Sequence, residues 1–175
     1  MGSGIYEVLG KDEMITQQEL KNVLHYDQDT GIFRRLKVSS RKDKLNEIVG
    51  CDIGRGYLQT RINYKKYFLH RLAWLYVYGE YPNKFIDHIN GNPSDNRICN
   101  LRQANSFENN QNAKISKLNT SGIKGVTWSK YNKKWEVKCR VMGKRYFLGL
   151  FEDINAAAET YKRFAEKYHG EFYRG

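Results

Sequence analysis

The spacing of apolar and polar residues in the first half of the chain predicts short helices and strands. Thr16 followed by Glu19 is a capping pattern, and it predicts a short helix over residues 15–24. The turn-forming run at residues 27–31 leads into a predicted strand. Residues 56–79 then predict two strands and a helix from about Leu69 to Tyr78.

A polar stretch follows, and it separates two short apolar runs. Residues 84–86 predict a strand that ends in Asp87 and His88, Asn90-Gly91 suits a tight turn, and residues 98–101 predict a returning strand. Asn105 with Glu108 three residues later marks a helix start, which places Asn109 near the first turn. Strand, loop, strand and helix would bring together four polar residues, Asp87, His88, Asn100 and Asn109.

The C-terminal third changes pattern. Three runs of alternating side-chain type, separated by turns at Asn132-Lys133 and Met142-Gly143, predict a three-stranded antiparallel sheet. A helix follows, with Asn155 as its expected cap and Gly170 at its end. Its predicted apolar face holds Ala157, Ala158, Tyr161, Ala165 and Tyr168.

These elements predict an α+β protein of two small modules, a ββα module and a three-stranded antiparallel sheet packed on one C-terminal helix. We expect a tag-like or disordered N-terminus at residues 1–13 and an α+β segment at residues 14–82. A ββα core is expected at residues 83–114, a linker at 115–121 and the sheet module at 122–175.

The net charge of the chain indicates the kind of partner that it binds. The 175 residues hold 30 Lys and Arg against 19 Asp and Glu, a net charge of +11, which favours an anionic partner such as nucleic acid. Residues 114–175 hold 14 of the Lys and Arg against 6 Asp and Glu, so most of the excess is C-terminal.

Neither cysteine spacing nor hydropathy indicates an extracellular or membrane protein. Cys51, Cys99 and Cys139 form no C-x-x-C pair, which argues against a disulfide framework or a thiolate zinc site. No apolar run approaches the roughly 20 residues of a membrane span, and the N-terminus lacks a signal-peptide pattern. We therefore expect no membrane partner and a protein of the reducing cytoplasm.

The four polar residues suit hydrolysis of a phosphodiester. A hard cation such as Mg²⁺, or Mn²⁺, takes oxygen ligands and needs few from protein, so Asp87 and Asn109 suffice. His88 titrates near neutral pH and is suited to take a proton from the attacking water. An isolated Asp-His pair is also typical of a hydrogen-bonded strand end. Only the combination of all four polar residues supports the hypothesis of phosphodiester hydrolysis.

Residues 70–113 resemble the HNH endonucleases of phage and intron origin. The shared residues are His70-Arg71, Asp87-His88, Asp95-Asn96-Arg97, Asn100-Leu101-Arg102 and Glu108-Asn109. The resemblance implies that His88 is the general base, that Asp87 and Asn109 bind the metal, and that Asn100 braces the loop. It also implies a phage-encoded protein, or one of the bacterial host, in the cytoplasm. Arg97 and Arg102 would either contact phosphate or form salt bridges with Asp95 or Glu108.

Residues 125–172 are similar to the plant APETALA/ethylene-response-factor DNA-binding domain, in which a three-stranded sheet enters the major groove. On the second strand, Glu136, Lys138 and Arg140 alternate with Trp135, Val137 and Cys139, and so form an outer, basic face. By position, the resemblance implies DNA contacts at Lys124, Thr127, Ser129, Lys138, Arg140, Arg145 and Phe147. A solvated polar face is the alternative explanation of that strand pattern.

The combined hypothesis is a site-selective, metal-dependent endonuclease of double-stranded DNA, of the homing type. We expect it to nick as a monomer or weak dimer and to need no small-molecule cofactor. Deleting the segment from about Ser121 should then weaken DNA binding yet leave cleavage at high protein concentration. The alternatives are a non-catalytic DNA-binding regulator and a binder of structured RNA.

Overall fold

A computed structural model describes residues 14–112, 115 and 118–173 of the chain. Predictions for residues 1–13, and for part of the linker at 115–121, lie outside the described residues. The described chain is α+β, as predicted, with four α-helices and eleven short strands. In chain order they are α1 (Gln17–Val23), β1 (Leu24–Asp27), β2 (Ile32–Arg35), β3 (Ile48–Val49), β4 (Cys51–Asp52), β5 (Leu58–Ile62), β6 (Lys65–Phe68), α2 (Leu69–Tyr78), β7 (Phe85–His88), β8 (Leu101–Ala104), α3 (Ser106–Asn112), β9 (Val126–Ser129), β10 (Lys134–Val141), β11 (Lys144–Phe151) and α4 (Ile154–His169).

The chain divides into two compact units, and each is interleaved in sequence with the other. Of the described residues, the first unit contains those in the ranges 14–82 and 93–101, and the second contains those in the ranges 83–92 and 102–173. The predicted ββα core and the predicted sheet module thus share the second unit, apart from residues 93–101. The domain boundaries proposed from sequence stay a prediction.

In the first unit, α1 and α2 pack together and two small antiparallel sheets surround them. The sheets have the orders β1-β2-β3 and β4-β5-β6. The capping box is present, since the Thr16 hydroxyl accepts from the Glu19 backbone and Glu19 reaches back to the Thr16 N–H. Helix α2 begins and ends at the predicted residues, because Gly79 adopts a left-handed conformation (φ 81°) at its C-cap. Strands β1, β3 and β4 were not predicted, and the latter two are only two residues long.

In the second unit, β7 pairs with β8 beside helix α3, and a separate sheet of order β11-β10-β9 packs against α4. Val126, Val137, Cys139, Ala157 and Ala165 are buried between this sheet and helix. The predicted alternation on β10 is therefore confirmed, with one irregularity between Val137 and Lys138.

A glycine permits close packing at the start of this sheet. Gly125 has φ +74°, and a β-carbon there would overlap the Tyr161 ring and lie 2.5 Å from the Lys138 carbonyl oxygen. Only glycine suits that position, because a side chain would meet both a left-handed backbone conformation and a filled space.

Three local predictions were wrong. The cap of α4 is Asp153, whose carboxylate accepts from the Asn155 and Ala156 backbone N–H groups, so the helix begins two residues earlier. Tyr168 is 48% exposed, because the helical repeat after Ala165 brings His169 to the buried face instead. Residues 98–100 form a 3₁₀ turn, and the strand begins only at Leu101.

Candidate functional site

The end of strand β7 buries the two residues that carry the predicted chemistry. Asp87 and His88 are each 4% exposed. The chain leaves the strand through a tight turn, in which the Gly91 N–H donates to the His88 carbonyl oxygen at 2.7 Å and Gly91 has φ 61°. Asn90 supports the turn by accepting from the Asn92 N–H at 2.8 Å. The predicted strand and turn are both confirmed.

Helix α3 starts where the sequence pattern predicts. The Asn105 side-chain oxygen accepts from the backbone N–H groups of Phe107 and Glu108, both at 2.9 Å. The Glu108 carboxylate accepts from the Asn105 N–H at 2.6 Å, which completes a reciprocal cap. This cap sets the start of the helix, and the helix packs against β7. Asn109 lies half-buried in its middle.

The Asp87 carboxylate is held by two side chains. Its Oδ2 accepts from Arg102 Nε at 2.9 Å, and Arg102 Nη2 lies 2.8 Å from the same oxygen in an ion pair. The Asn112 amide donates to Asp87 Oδ1 at 2.9 Å, to Oδ2 at 3.1 Å and to the His88 carbonyl oxygen at 2.7 Å. Both contacts restrain the carboxylate beside His88.

Asn112 was missed by sequence reasoning, although it lies one turn beyond Asn109 on the same helix. Three asparagines occupy α3, and the sequence contains no signal that separates the buried Asn112 from the exposed Asn110. Arg102 was expected to contact phosphate or to pair with Asp95 or Glu108. Its carboxylate partner at 2.8 Å is Asp87 instead.

The oxygen donors of this site suit a hard divalent cation. A carboxylate offers about four acceptor positions. Among the described residues, Asp87 Oδ2 accepts from Arg102 Nε and Asn112 and also lies 2.8 Å from Arg102 Nη2, whereas Oδ1 accepts from Asn112. Oδ1 therefore keeps an acceptor position for a metal. Asn109 can add an amide oxygen of the kind that Mg²⁺ accepts. Within the described ranges there is no cluster of three or more His, Cys, Asp or Glu residues suited to a metal.

Asn100, expected to brace the loop, lies in the first unit. It is buried, and its side-chain amide donates to the Asp95 carbonyl oxygen at 2.8 Å. Arg97 forms a bidentate ion pair with Asp95, with Nε at 2.8 Å and Nη2 at 2.6 Å. The Tyr26 hydroxyl donates to the Asn96 carbonyl oxygen at 2.6 Å. The loop is thus held by several contacts within its own unit. Of the two roles expected for Arg97, a phosphate contact or a salt bridge, the structure shows the salt bridge with Asp95.

Comparison with known proteins identifies the relatives of the chain. The HNH endonuclease family matches residues 67–111, a range that includes Asp87, His88, Asn100 and Asn109. Protein 3.8 of Escherichia phage T7 is 35% identical over 119 residues, which cover 65% of this chain and 98% of that protein. The chain belongs to the family of Protein 3.8 and carries an HNH endonuclease domain. No solved structure matches it significantly.

The HNH domain suggests an enzyme that cuts DNA, and HNH nucleases generally depend on a divalent metal. It therefore implies a DNA substrate, in agreement with the net charge of +11. In the described ranges, no helix has the length and apolar character required to cross a bilayer.

Beyond the HNH match, most of the predicted DNA-facing residues lie on the exposed face of the C-terminal sheet. Arg140 is directly opposite Arg145, and Lys138 is opposite Phe147, which is 60% exposed. Lys138 also pairs with Glu136 of its own strand. Thr127 is exposed and Ser129 is partly buried, where its hydroxyl accepts from Asn132.

Lys124 differs from the rest of that set. Its Nζ donates to the Gln111 carbonyl oxygen of α3 at 2.6 Å, in a partly buried position. The ammonium group is therefore engaged at the end of the helix that carries Asn109. Leu150, not predicted, adds an apolar side chain to the exposed face, directly opposite Glu136.

Proposed function

We propose that the protein is a site-selective, divalent-metal-dependent endonuclease of double-stranded DNA, of the phage homing type. The observation that supports this most is the pairing of Asp87 with His88 at a buried strand end, with the carboxylate restrained by Arg102 and Asn112. A strand end that only needed a polar turn would not require so many directed contacts to one carboxylate.

The proposed chemistry divides among a few residues. His88 accepts a proton from the water whose oxygen forms a bond to phosphorus, as the bond between phosphorus and the departing 3′ oxygen breaks. Asp87 and Asn109 hold Mg²⁺, or Mn²⁺ in its place, which supplies charge stabilisation on the phosphate and on the 3′ oxygen. Asn100 keeps the loop in shape through its bond to Asp95.

We also propose that the C-terminal sheet contacts the DNA in the manner of an APETALA/ethylene-response-factor domain. The support is its basic, exposed face, where Arg140, Arg145 and Lys138 surround the exposed ring of Phe147. A small sheet of this kind can enter the major groove. Thr127 and Ser129 extend the same surface, whereas Lys124 is engaged with α3 and contributes there instead.

A plasmid assay tests the proposal. Supercoiled DNA with Mg²⁺ should become nicked circles, because one HNH centre activates one nucleophile, and a chelator should stop the reaction. His88→Ala should lower the rate by about 10²–10⁴-fold and leave DNA affinity unchanged. His25→Ala, at an exposed position of β1, is the matched control. Binding of duplex DNA without cutting would instead support a DNA-binding regulator. A preference for structured RNA would exclude both the DNA endonuclease and the DNA-binding regulator.

A further inference from the structure

The C-terminal end of the described chain reaches the candidate nuclease site. After α4, residues Gly170–Phe172 form a 3₁₀ turn. Arg102 Nη1 donates to the Glu171 carbonyl oxygen at 2.6 Å, and the guanidinium carbon lies 3.9 Å from the centre of the Phe172 ring. The same guanidinium donates through Nε to Asp87 Oδ2 and forms an ion pair with that oxygen through Nη2. Arg102 is thus held between the Asp87 carboxylate and the C-terminal turn.

This geometry restrains Arg102 more than its ion pair alone would. A guanidinium group is planar. A hydrogen bond donated from one edge and an aromatic ring against its face therefore limit rotation about the side-chain torsions of Arg102. Its side chain is only 13% exposed. The Glu171 carboxylate contributes little to this restraint, because it is 76% exposed and 3.9 Å from Nη1.

Other contacts within the second unit join the C-terminal sheet to helix α3. Lys124 Nζ binds the Gln111 carbonyl oxygen at the end of α3. The turn between β10 and β11 also lies against α3, since a β-carbon on Gly143 would be 3.1 Å from the Phe107 ring. The sheet and its helix are therefore packed onto the elements that carry Asp87 and Asn109.

We propose that the C-terminal turn is part of the nuclease site, and that Arg102 and Phe172 are positioning residues for Asp87. The inference rests on the proposed function. Phe172 and the Glu171 carbonyl hold Arg102, Arg102 occupies Asp87 Oδ2, and Oδ1 is left oriented for the metal. Cutting, and not only DNA affinity, then requires the C-terminal segment. This replaces the expectation that cleavage survives its removal.

Substitutions at Phe172 in the full-length chain test the proposal. Phe172→Leu keeps an apolar side chain but removes the ring, whereas Phe172→Tyr keeps the ring. Single-turnover cleavage at saturating DNA should fall about 3- to 30-fold in Phe172→Leu, the range expected for a lost cation–π contact. Phe172→Tyr should restore wild-type cutting, Glu166→Gln at an exposed position of α4 is the control that should cut like the wild type, and all three variants should bind DNA with unchanged affinity.

Metal binding without DNA gives a second measurement. Titration with Mn²⁺, followed by water-proton relaxation, should show weaker binding to Phe172→Leu than to the wild type or to Glu166→Gln. Arg102→Lys separates positioning from phosphate contact, because lysine keeps the charge but loses the planar fork. It should lose cutting and Mn²⁺ affinity while the salt dependence of DNA binding stays the same.

The outcomes separate the two proposals. If wild type nicks DNA and Phe172→Leu matches it in both rate and Mn²⁺ affinity, the positioning inference is overturned and the nuclease proposal stands. If wild type fails to nick, the nuclease proposal is overturned, and the Mn²⁺ titrations still decide whether Phe172 and Arg102 act on Asp87. If Phe172→Leu melts at a lower temperature than the wild type, its loss of activity could come from lost stability. The nicking rate and Mn²⁺ affinity of Arg102→Lys then decide the positioning inference.

Discussion

Asn112 offers a sharp test of the site, because the same helix supplies its controls. Asn112→Ala removes the amide that donates to both oxygens of Asp87 and to the His88 carbonyl oxygen. Asn109→Ala and Asn110→Ala make the same chemical change at a half-buried and an exposed position of α3. The change to alanine does not lower helix propensity at any of the three positions, so a loss of stability in one variant reports on its contacts.

The expected loss of stability for Asn112→Ala follows from its contacts. A hydrogen bond to a charged group contributes about 1.5–3 kcal/mol, and the His88 carbonyl oxygen keeps its bond from the Gly91 N–H, so the free energy of unfolding should fall by about 1.5–3 kcal/mol. Asp87 keeps its ion pair with Arg102, which prevents the larger cost of an unpaired buried charge. For a chain of this size, Tm should fall by about 3–12 °C.

Two assays on the three variants decide the case. Calorimetric melting should show a lower Tm for Asn112→Ala and unchanged values for Asn109→Ala and Asn110→Ala. Plasmid nicking should fall about 10–100-fold for Asn112→Ala, as for other residues that orient a metal ligand. Asn109→Ala should lose cutting without losing stability, and higher Mg²⁺ should partly restore it. An Asn112→Ala protein that melts and cuts like Asn110→Ala would refute the assigned contacts.

Three further predictions concern the C-terminal sheet and its helix. Arg140→Ala or Arg145→Ala should weaken DNA binding by about 1–3 kcal/mol if the side chain reads a base, and a lost phosphate contact should instead lower the salt slope by about 1 in a filter-binding series. Burial holds the pKa of His169 below its ordinary value, so the unfolded chain takes up the proton first and stability should fall as pH drops below about 6.5. In thermal melts from pH 7.5 downward, His169→Gln should show a weaker pH dependence than the wild type. Gly125→Ala should lower the free energy of unfolding by about 3 kcal/mol or more in urea titrations. Gly122→Ala, which has a similar positive φ but no neighbour within 4 Å, should cost less.

Several features could be predicted from sequence because their causes are local. The caps at Thr16 and Asn105 depend on two side chains three residues apart, and the end of α2 depends on one glycine. The alternation on β10 predicted its buried face, because consecutive strand residues point to opposite sides. The local predictions failed where two neighbours competed, as when Asp153 rather than Asn155 capped α4.

The sequence by itself determined the α+β class, the Asp87-His88 strand end, the helix that carries Asn109 and the basic face of the C-terminal sheet. Only the tertiary structure decided what holds Asp87. Its partners Arg102 and Asn112 are 15 and 25 residues away, and the Glu171 carbonyl that restrains Arg102 is 69 residues beyond it. A polar side chain can often reach several partners of the same chemistry, and it pairs with the one that packing brings close. The packing of the whole second unit sets the distance between the side chain and that partner. Periodicity and spacing carry no information about it.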